Sequence, residues 1–342
     1  VALLRELAVA GALMGTMIGA GFASGQELVQ FFLSLGAGAR GAVVLMTGLL
    51  MGASFLVRFL ARQWETTSYD DFLIRLLGRW YRPADIAVTV FLFGGLAIMF
   101  AGAGAVARQY FGCPERAGIL ACAGLAFMGS LGRGRGVLFL NGLLVPLMTG
   151  ILVLIALLAR PLAGGPLQPV PAGFLVSNSW ILNACLYVTY NMVGITVLLV
   201  SLPGYQRGSL GAALGGLFLG FLIYLLVQAL GQLPREDLLT ELPLLSLVSR
   251  YHPELRGWYA LALLLAMITT AASNLFGLVE RLGRDSRFPP ALVAVVILIL
   301  VIPLAGGGFA YLIGLIYPFF GYLGLLLLLL ALGRRLARVF KI

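Results

Sequence analysis

Residues 15–27 read Gly15-Thr16-Met17-Ile18-Gly19-Ala20-Gly21-Phe22-Ala23-Ser24-Gly25-Gln26-Glu27 and lie inside an apolar stretch running from about 7 to 34. Each glycine weakens a helix by about 1 kcal/mol relative to alanine, and Ser24-Gly25-Gln26-Glu27 adds a polar cluster. The stretch therefore predicts a helix that breaks part-way. A break leaves backbone N–H and C=O groups without partners. In a membrane these are tolerated only where they line a cavity or hold a ligand.

The composition places this stretch in a membrane. Of 342 residues, 61% are hydrophobic and 11% charged, with a mean hydropathy of +1.03. A soluble domain carries roughly 25% charged residues, so this chain cannot coat a globule and reads as an integral membrane protein. The net charge of +10 is then a matter of membrane orientation, and no nucleic-acid partner is expected. The single lysine, Lys341, sits at the C-terminus with no glycine-rich phosphate loop before it, which excludes P-loop ATP hydrolysis. Cys113, Cys122 and Cys185 share no metal spacing, and the only histidine, His252, falls in a polar segment. Clustered histidine, thiol or carboxylate chemistry has no basis here, so no catalytic residue is named and no enzyme is expected.

A spanning helix needs about 20 mostly apolar residues. Ten stretches qualify, at 7–34, 41–62, 85–110, 117–131, 137–159, 174–202, 209–231, 257–281, 290–306 and 309–333, the fourth and ninth being short. Between 233 and 256, Leu238, Leu239, Leu242, Leu245 and Val248 are spaced for a short amphipathic helix lying on the surface. Basic residues concentrate on the side of the N-terminus, notably Arg58, Arg62, Arg75, Arg79 and Arg82. By the positive-inside rule both termini are cytoplasmic, in a multi-pass protein of the cell (inner or plasma) membrane. Gly132-Arg133-Gly134-Arg135-Gly136 then reads as a cytoplasmic turn. The first span carries Glu27 and no cleavable signal peptide is expected.

Five spans are an odd number, so two halves, 1–160 and 174–342, would enter the membrane in opposite senses within a single transporter domain, 1–342. Each half opens on an unusual span. The sixth carries Asn178, Asn183, Tyr187, Thr189, Tyr190, Asn191 and Gly194. Polar or glycine-interrupted spans at matching positions point to a transporter binding site. Gly15-Thr16-Met17-Ile18-Gly19-Ala20-Gly21-Phe22 resembles the G-x-x-I-G-x-G-[IF] element of the amino acid–polyamine–organocation superfamily. The longer string from Gly19 to Glu27 is similar to the YkvI-like membrane proteins of that superfamily. The resemblance implies the LeuT fold: all-α, ten transmembrane helices in a 5+5 inverted repeat, with helices 1 and 6 discontinuous, here near Gly19–Gly21 and Tyr190–Asn191. It also implies alternating access, with spans 1, 2, 6 and 7 rocking against 3, 4, 8 and 9.

The expected substrate-binding residues are Gly19, Gly21, Ser24, Gly25 and Glu27 from the first span and Tyr187, Tyr190 and Asn191 from the sixth, with span three contributing near Gly102. Glycines let a ligand approach bare backbone. Close helix packing is the alternative reading of Gly11, Gly15 and Gly19 at spacing four. Glu27 is an acidic residue well inside a span, which makes it a functional candidate by default. It could attract a cationic amine, carry a proton, or lock the bent helix. At 1.5 Å per residue its position is about 9 Å beyond Gly21. Carried over by position from sodium-coupled relatives, the resemblance implies a sodium site of the Gly15, Ile18 and Ala266 carbonyls with the Thr269 and Thr270 hydroxyls. The alternative is that these threonines bond back to their own helix. Proton-driven relatives carry a lysine in span five; here that span has no lysine or arginine. The leading expectation is a sodium-coupled symporter of a small amino acid or related metabolite. The alternatives are a proton-coupled transporter using Glu27 and a non-transporting sensor resembling germinant receptors.

Overall fold

A computed structural model describes residues 2–66, 68–131, 135–158, 167–201, 209–283 and 288–339. All of its regular structure in those residues is helical. The first apolar stretch is divided into α1 (Ala2–Met17), α2 (Ala20–Ser24) and α3 (Gln26–Phe31). Next come α4 (Ala39–Gln63), α5 (Tyr69–Leu77), α6 (Tyr81–Gln109), α7 (Glu115–Leu131) and α8 (Arg135–Leu158). The second half supplies α9 (Trp180–Ser201), α10 (Ser209–Leu230), α11 (Arg235–Leu238), α12 (Pro243–Tyr251), α13 (Arg256–Gly283), α14 (Pro290–Ala305) and α15 (Phe309–Val339). Among the described residues, six helical segments are long and apolar enough to cross a membrane, and Glu6–Met17, Pro146–Leu158 and Pro290–Ala305 are shorter apolar helices. The chain is a multi-pass helical membrane protein.

The helices pack in two groups. One gathers α1, α4, α9 and α10, and the other α6, α7, α13 and α14. Both α8 and α15 touch members of each group. Among these long elements, α5 is short and amphipathic. Ser68 caps it by accepting the Asp71 N–H at 3.2 Å, and Gly78 with φ +59° ends it.

Two expectations are corrected. The sixth span is a continuous helix, α9, with no break near Tyr190–Asn191. Thr189 and Asn191 each bond one turn back along their own helix, so neither of these side chains forces the backbone open. Thr189 Oγ1 donates at 2.9 Å to the Cys185 carbonyl and lies 2.7 Å from that of Gly321, while Asn191 Nδ2 donates to the Tyr187 carbonyl at 2.9 Å. The segment 233–256 is not a surface helix either. It forms α11 and α12, and Leu238, Leu242, Leu245 and Val248 are buried against the rest of the chain, with Leu239 alone of the five exposed. The first half's expected end at residue 160 and the first three residues of the turn at 132–136 lie outside the described residues.

Candidate functional site

In a continuous helix the Gly19 N–H would reach the Gly15 carbonyl. It bonds instead to Met17 O at 2.9 Å in a three-residue turn centred on Ile18, and Gly19 itself is extended (φ −96°, ψ −177°) as the N-cap of α2. The Gly15 carbonyl thereby loses its helical partner. A cavity of about 280 Å³ opens beside this break. Its walls include Gly15, Ile18, Ala266, Thr269 and Thr270, together with Thr16, Gly19 and Ala20 from the break and Leu144 and Met148 from α8. All five residues expected to supply oxygens therefore border one space. Thr269 Oγ1 also donates to the Ala266 carbonyl at 3.2 Å. Donation uses the hydroxyl proton and leaves the lone pairs of Thr269 Oγ1, while the Ala266 carbonyl, inside α13, is shared between its helix and that hydroxyl. The Thr269 hydroxyl oxygen can still face a cation.

Gly11 and Gly19 would each accept a Cβ with nothing within 4 Å. Close packing does not explain them. Gly102 is the opposite case: a Cβ there would lie 2.6 Å from Met267 Cε, so this part of α6 is filled by packing and does not contribute to the pocket as expected.

The second polar centre lies on the other side of the break. Gly25 has φ +88°, a left-handed conformation that side chains disfavour, and it is the one-residue joint between α2 and α3. Glu27 therefore does not project 9 Å past Gly21. Its carboxylate lies over Gly21, where an added Cβ would come 2.5 Å from Oε1 and 3.0 Å from the Tyr317 hydroxyl. Tyr190 donates its hydroxyl to Glu27 Oε2 at 2.5 Å. Its ring is stacked between Phe31 and Tyr317, with centroids at 5.5 and 4.8 Å. Tyr187 meets Tyr190 edge-on at 5.4 Å. The Tyr187 hydroxyl faces the same carboxylate but is fully buried without a hydrogen bond of adequate geometry.

Of the expected substrate residues, Gly21, Glu27, Tyr187 and Tyr190 converge here, and Gly19 borders the cavity. Ser24 serves the turn: its hydroxyl donates to the Gly21 carbonyl at 2.6 Å and accepts the Gln26 N–H at 3.1 Å. Gly25 is the pivot, with the side chain and amide of Leu244 packed against it. Asn191 bonds its own helix. Tyr317, from span ten, joins this centre and is not among the residues expected from the sequence. The pair Tyr317-Pro318 inside that span is the signal that could have found it.

Exposure differs sharply across the break. Residues 20–33 are all buried, whereas Gly15 and Gly19 are half-exposed and Thr16 is exposed. The segment carrying α11 and α12 covers the buried side. Gln26 Nε2 donates to the Thr240 carbonyl at 2.7 Å, and Gln109 Nε2 donates to Ser246 Oγ at 3.0 Å. Glu241 accepts the Ala310 N–H at 2.6 Å, tying the same segment to the start of α15.

These features define a polytopic helical protein with a broken first helix, a cavity bordered by neutral oxygens and a buried carboxylate among tyrosines. No family model matches the chain. It is similar to the uncharacterized protein YyaD of Bacillus subtilis (strain 168), 27% identical over 321 residues, 92% of this chain and 93% of the relative. It is also similar to the uncharacterized membrane protein YkvI of the same organism, 25% identical over 332 residues and 91% of each chain. Among solved structures, a manganese transporter of Eremococcus coleocola, crystallised with an aromatic bis-isothiourea substituted compound, aligns with a TM-score of 0.46 and 14% identity. The alignment covers 88% of this chain and 70% of that one.

Proposed function

We propose that the chain is a secondary active transporter of a small amino acid or related metabolite, working by alternating access and coupled to sodium. In this reading it is a member of the amino acid–polyamine–organocation superfamily with the LeuT-like fold. Its ten spans form two inverted halves, and both termini are cytoplasmic. The observation that carries the proposal is the cavity at the break in the first span. The five residues that the resemblance implies as oxygen donors border one space between α1 and α13. Neutral oxygens suit a monovalent ion that must bind and then leave. The cavity's walls come from both helix groups, so an ion held there would couple their relative position to its own presence. The Tyr187 hydroxyl, buried and unpartnered, is the group we assign to a substrate atom beside Glu27. Continuous α9 supplies side chains to this site rather than exposed backbone.

The test is a thermal-shift and uptake screen of amino acids in sodium against potassium at equal ionic strength. Thr270→Ala removes one of five donors. It should raise the sodium concentration for half-maximal effect by roughly ten- to a hundredfold, equivalent to about 1–3 kcal/mol. Equal stabilisation and uptake in potassium would overturn sodium coupling.

A second reading is favoured by one observation: Glu27 is 5% exposed and forms no ion pair among the described residues. A buried carboxyl with hydroxyl partners and no fixed cation can carry a proton, which would make the protein proton-coupled.

A further inference from the structure

A second cavity, about 210 Å³, is bounded by Phe91, whose ring lies 6.4 Å from that of Tyr317 and separates the cavity from the Glu27 centre. Its floor is the apolar face of α5, with Phe72, Leu73 and Leu77 buried. Its walls are α4 and α9 from one helix group, α6 from the other, and α15. Tyr69 and two threonines are the only polar side chains among its lining residues, so a polar or charged solute finds few partners there. Lining residues Leu56 and Leu328 are 48% and 44% exposed, which makes the cavity continuous with the apolar outer face of the spans.

Around α5 the character changes abruptly. Arg62, Arg79 and Arg82 are exposed and enter no ion pair among the described residues. In sequence they flank the lining residues Leu60, Leu77 and Ala84. Trp64, Tyr69, Trp80 and Tyr81 belong to the same cluster, and Arg79 lies over the Trp80 ring at 5.4 Å. Amphipathic aromatics beside arginine mark the headgroup level of a bilayer, and exposed arginines at that level attract anionic lipid.

We propose that this cavity seats one acyl chain of an anionic phospholipid from the adjoining leaflet, its headgroup held by Arg62, Arg79 and Arg82. Two complementarities point to the occupant: an apolar slot open to the lipid-facing surface, and three exposed arginines without ion pairs near α5, where Asp71 and Asp85 are paired with Arg75 and Arg281 and Asp70 accepts the Tyr81 hydroxyl. The walls belong to both helix groups, so a seated chain ties the groups together. The seat does not depend on what the protein carries, and its test requires no transport.

The purified full chain, delipidated in detergent, would be offered equal phosphatidylglycerol and phosphatidylcholine of matched chains and examined by native mass spectrometry. The expected result is one retained phosphatidylglycerol, favoured about tenfold or more over phosphatidylcholine. Ala87→Phe from α6 and Ala53→Phe from α4 each fill the cavity and should each cut retention about tenfold, with monodispersity and circular dichroism reporting the fold. The combined Arg62→Gln, Arg79→Gln and Arg82→Gln variant should bring the two lipids to parity. Undiminished retention in a folded phenylalanine variant would overturn the proposal. So would equal retention of phosphatidylcholine or of added free fatty acid by the unaltered protein.

Discussion

At the scale of single residues, two tyrosines one helical turn apart do different work. Tyr190 donates to the Glu27 carboxylate, and a hydrogen bond to such a group contributes about 1.5–3 kcal/mol. Tyr187 buries a hydroxyl beside the same carboxylate without a hydrogen bond of adequate geometry, which adds little to stability. Tyr190→Phe should therefore lower the thermal unfolding temperature, and Tyr187→Phe should leave it equal or raise it. If the Tyr187 hydroxyl awaits a substrate atom, Tyr187→Phe weakens substrate binding while preserving stability. Calorimetric scans and a binding titration on both variants separate these effects; equal destabilisation by the two would refute the distinction.

At the scale of elements, the glycine joints and one carboxylate cap govern how the broken span sits. Gly25→Ala forces a side chain into a left-handed backbone, at about 1–2 kcal/mol, and sets a Cβ 2.9 Å from Leu244 Cγ. Reduced thermal stability is expected, and an unchanged unfolding temperature would mean the turn has another conformation. Glu241→Ala removes the acceptor for the Ala310 N–H at the start of α15 and should cost about 0.5–2 kcal/mol, the range of a helix cap, read in the same assay. The sequence made the break at Gly19 legible because glycine spacing and a polar quartet both act through the local backbone. It misled at α9 because Tyr190 and Asn191 have polar side chains but no local reason to unwind. Asn191 bonds one turn back, a contact that periodicity cannot distinguish from a ligand-facing amide. The place of Glu27 differs for a related reason: a rise per residue assumes a straight axis, and the positive φ at Gly25 interrupts it. The five oxygens around the cavity were named by position within a resemblance, and their meeting depends on α1 and α13 coming together across some 250 residues of chain.

For the whole molecule, the division into two packed groups joined by α8 and α15 gives the coupling question a clear form. With sodium as the driver, Glu27→Gln leaves the sodium dependence of uptake in place. With protons as the driver, acidifying the outer side relative to the inner side accelerates uptake without sodium, and Glu27→Gln removes that response because the amide cannot exchange a proton. Proteoliposome uptake under imposed sodium or pH gradients decides between them. Accumulation under a pH gradient alone, lost in Glu27→Gln, would replace the sodium reading.

The six residues of α3 carry three long polar side chains, each fastened to a different part of the chain. Gln26 holds Thr240, Glu27 holds Tyr190, and Gln30 accepts the Gly173 N–H at 2.7 Å. So short a rod cannot release one tether and keep the others. Its departure is concerted. At about 1 kcal/mol for each of the two glutamine bonds and about 1.5–3 kcal/mol for the one to Glu27, the released form would be present at roughly one molecule in several hundred or fewer. A cargo that supplied replacement bonds would raise that fraction by its preference for the released form, however tightly it bound the closed one.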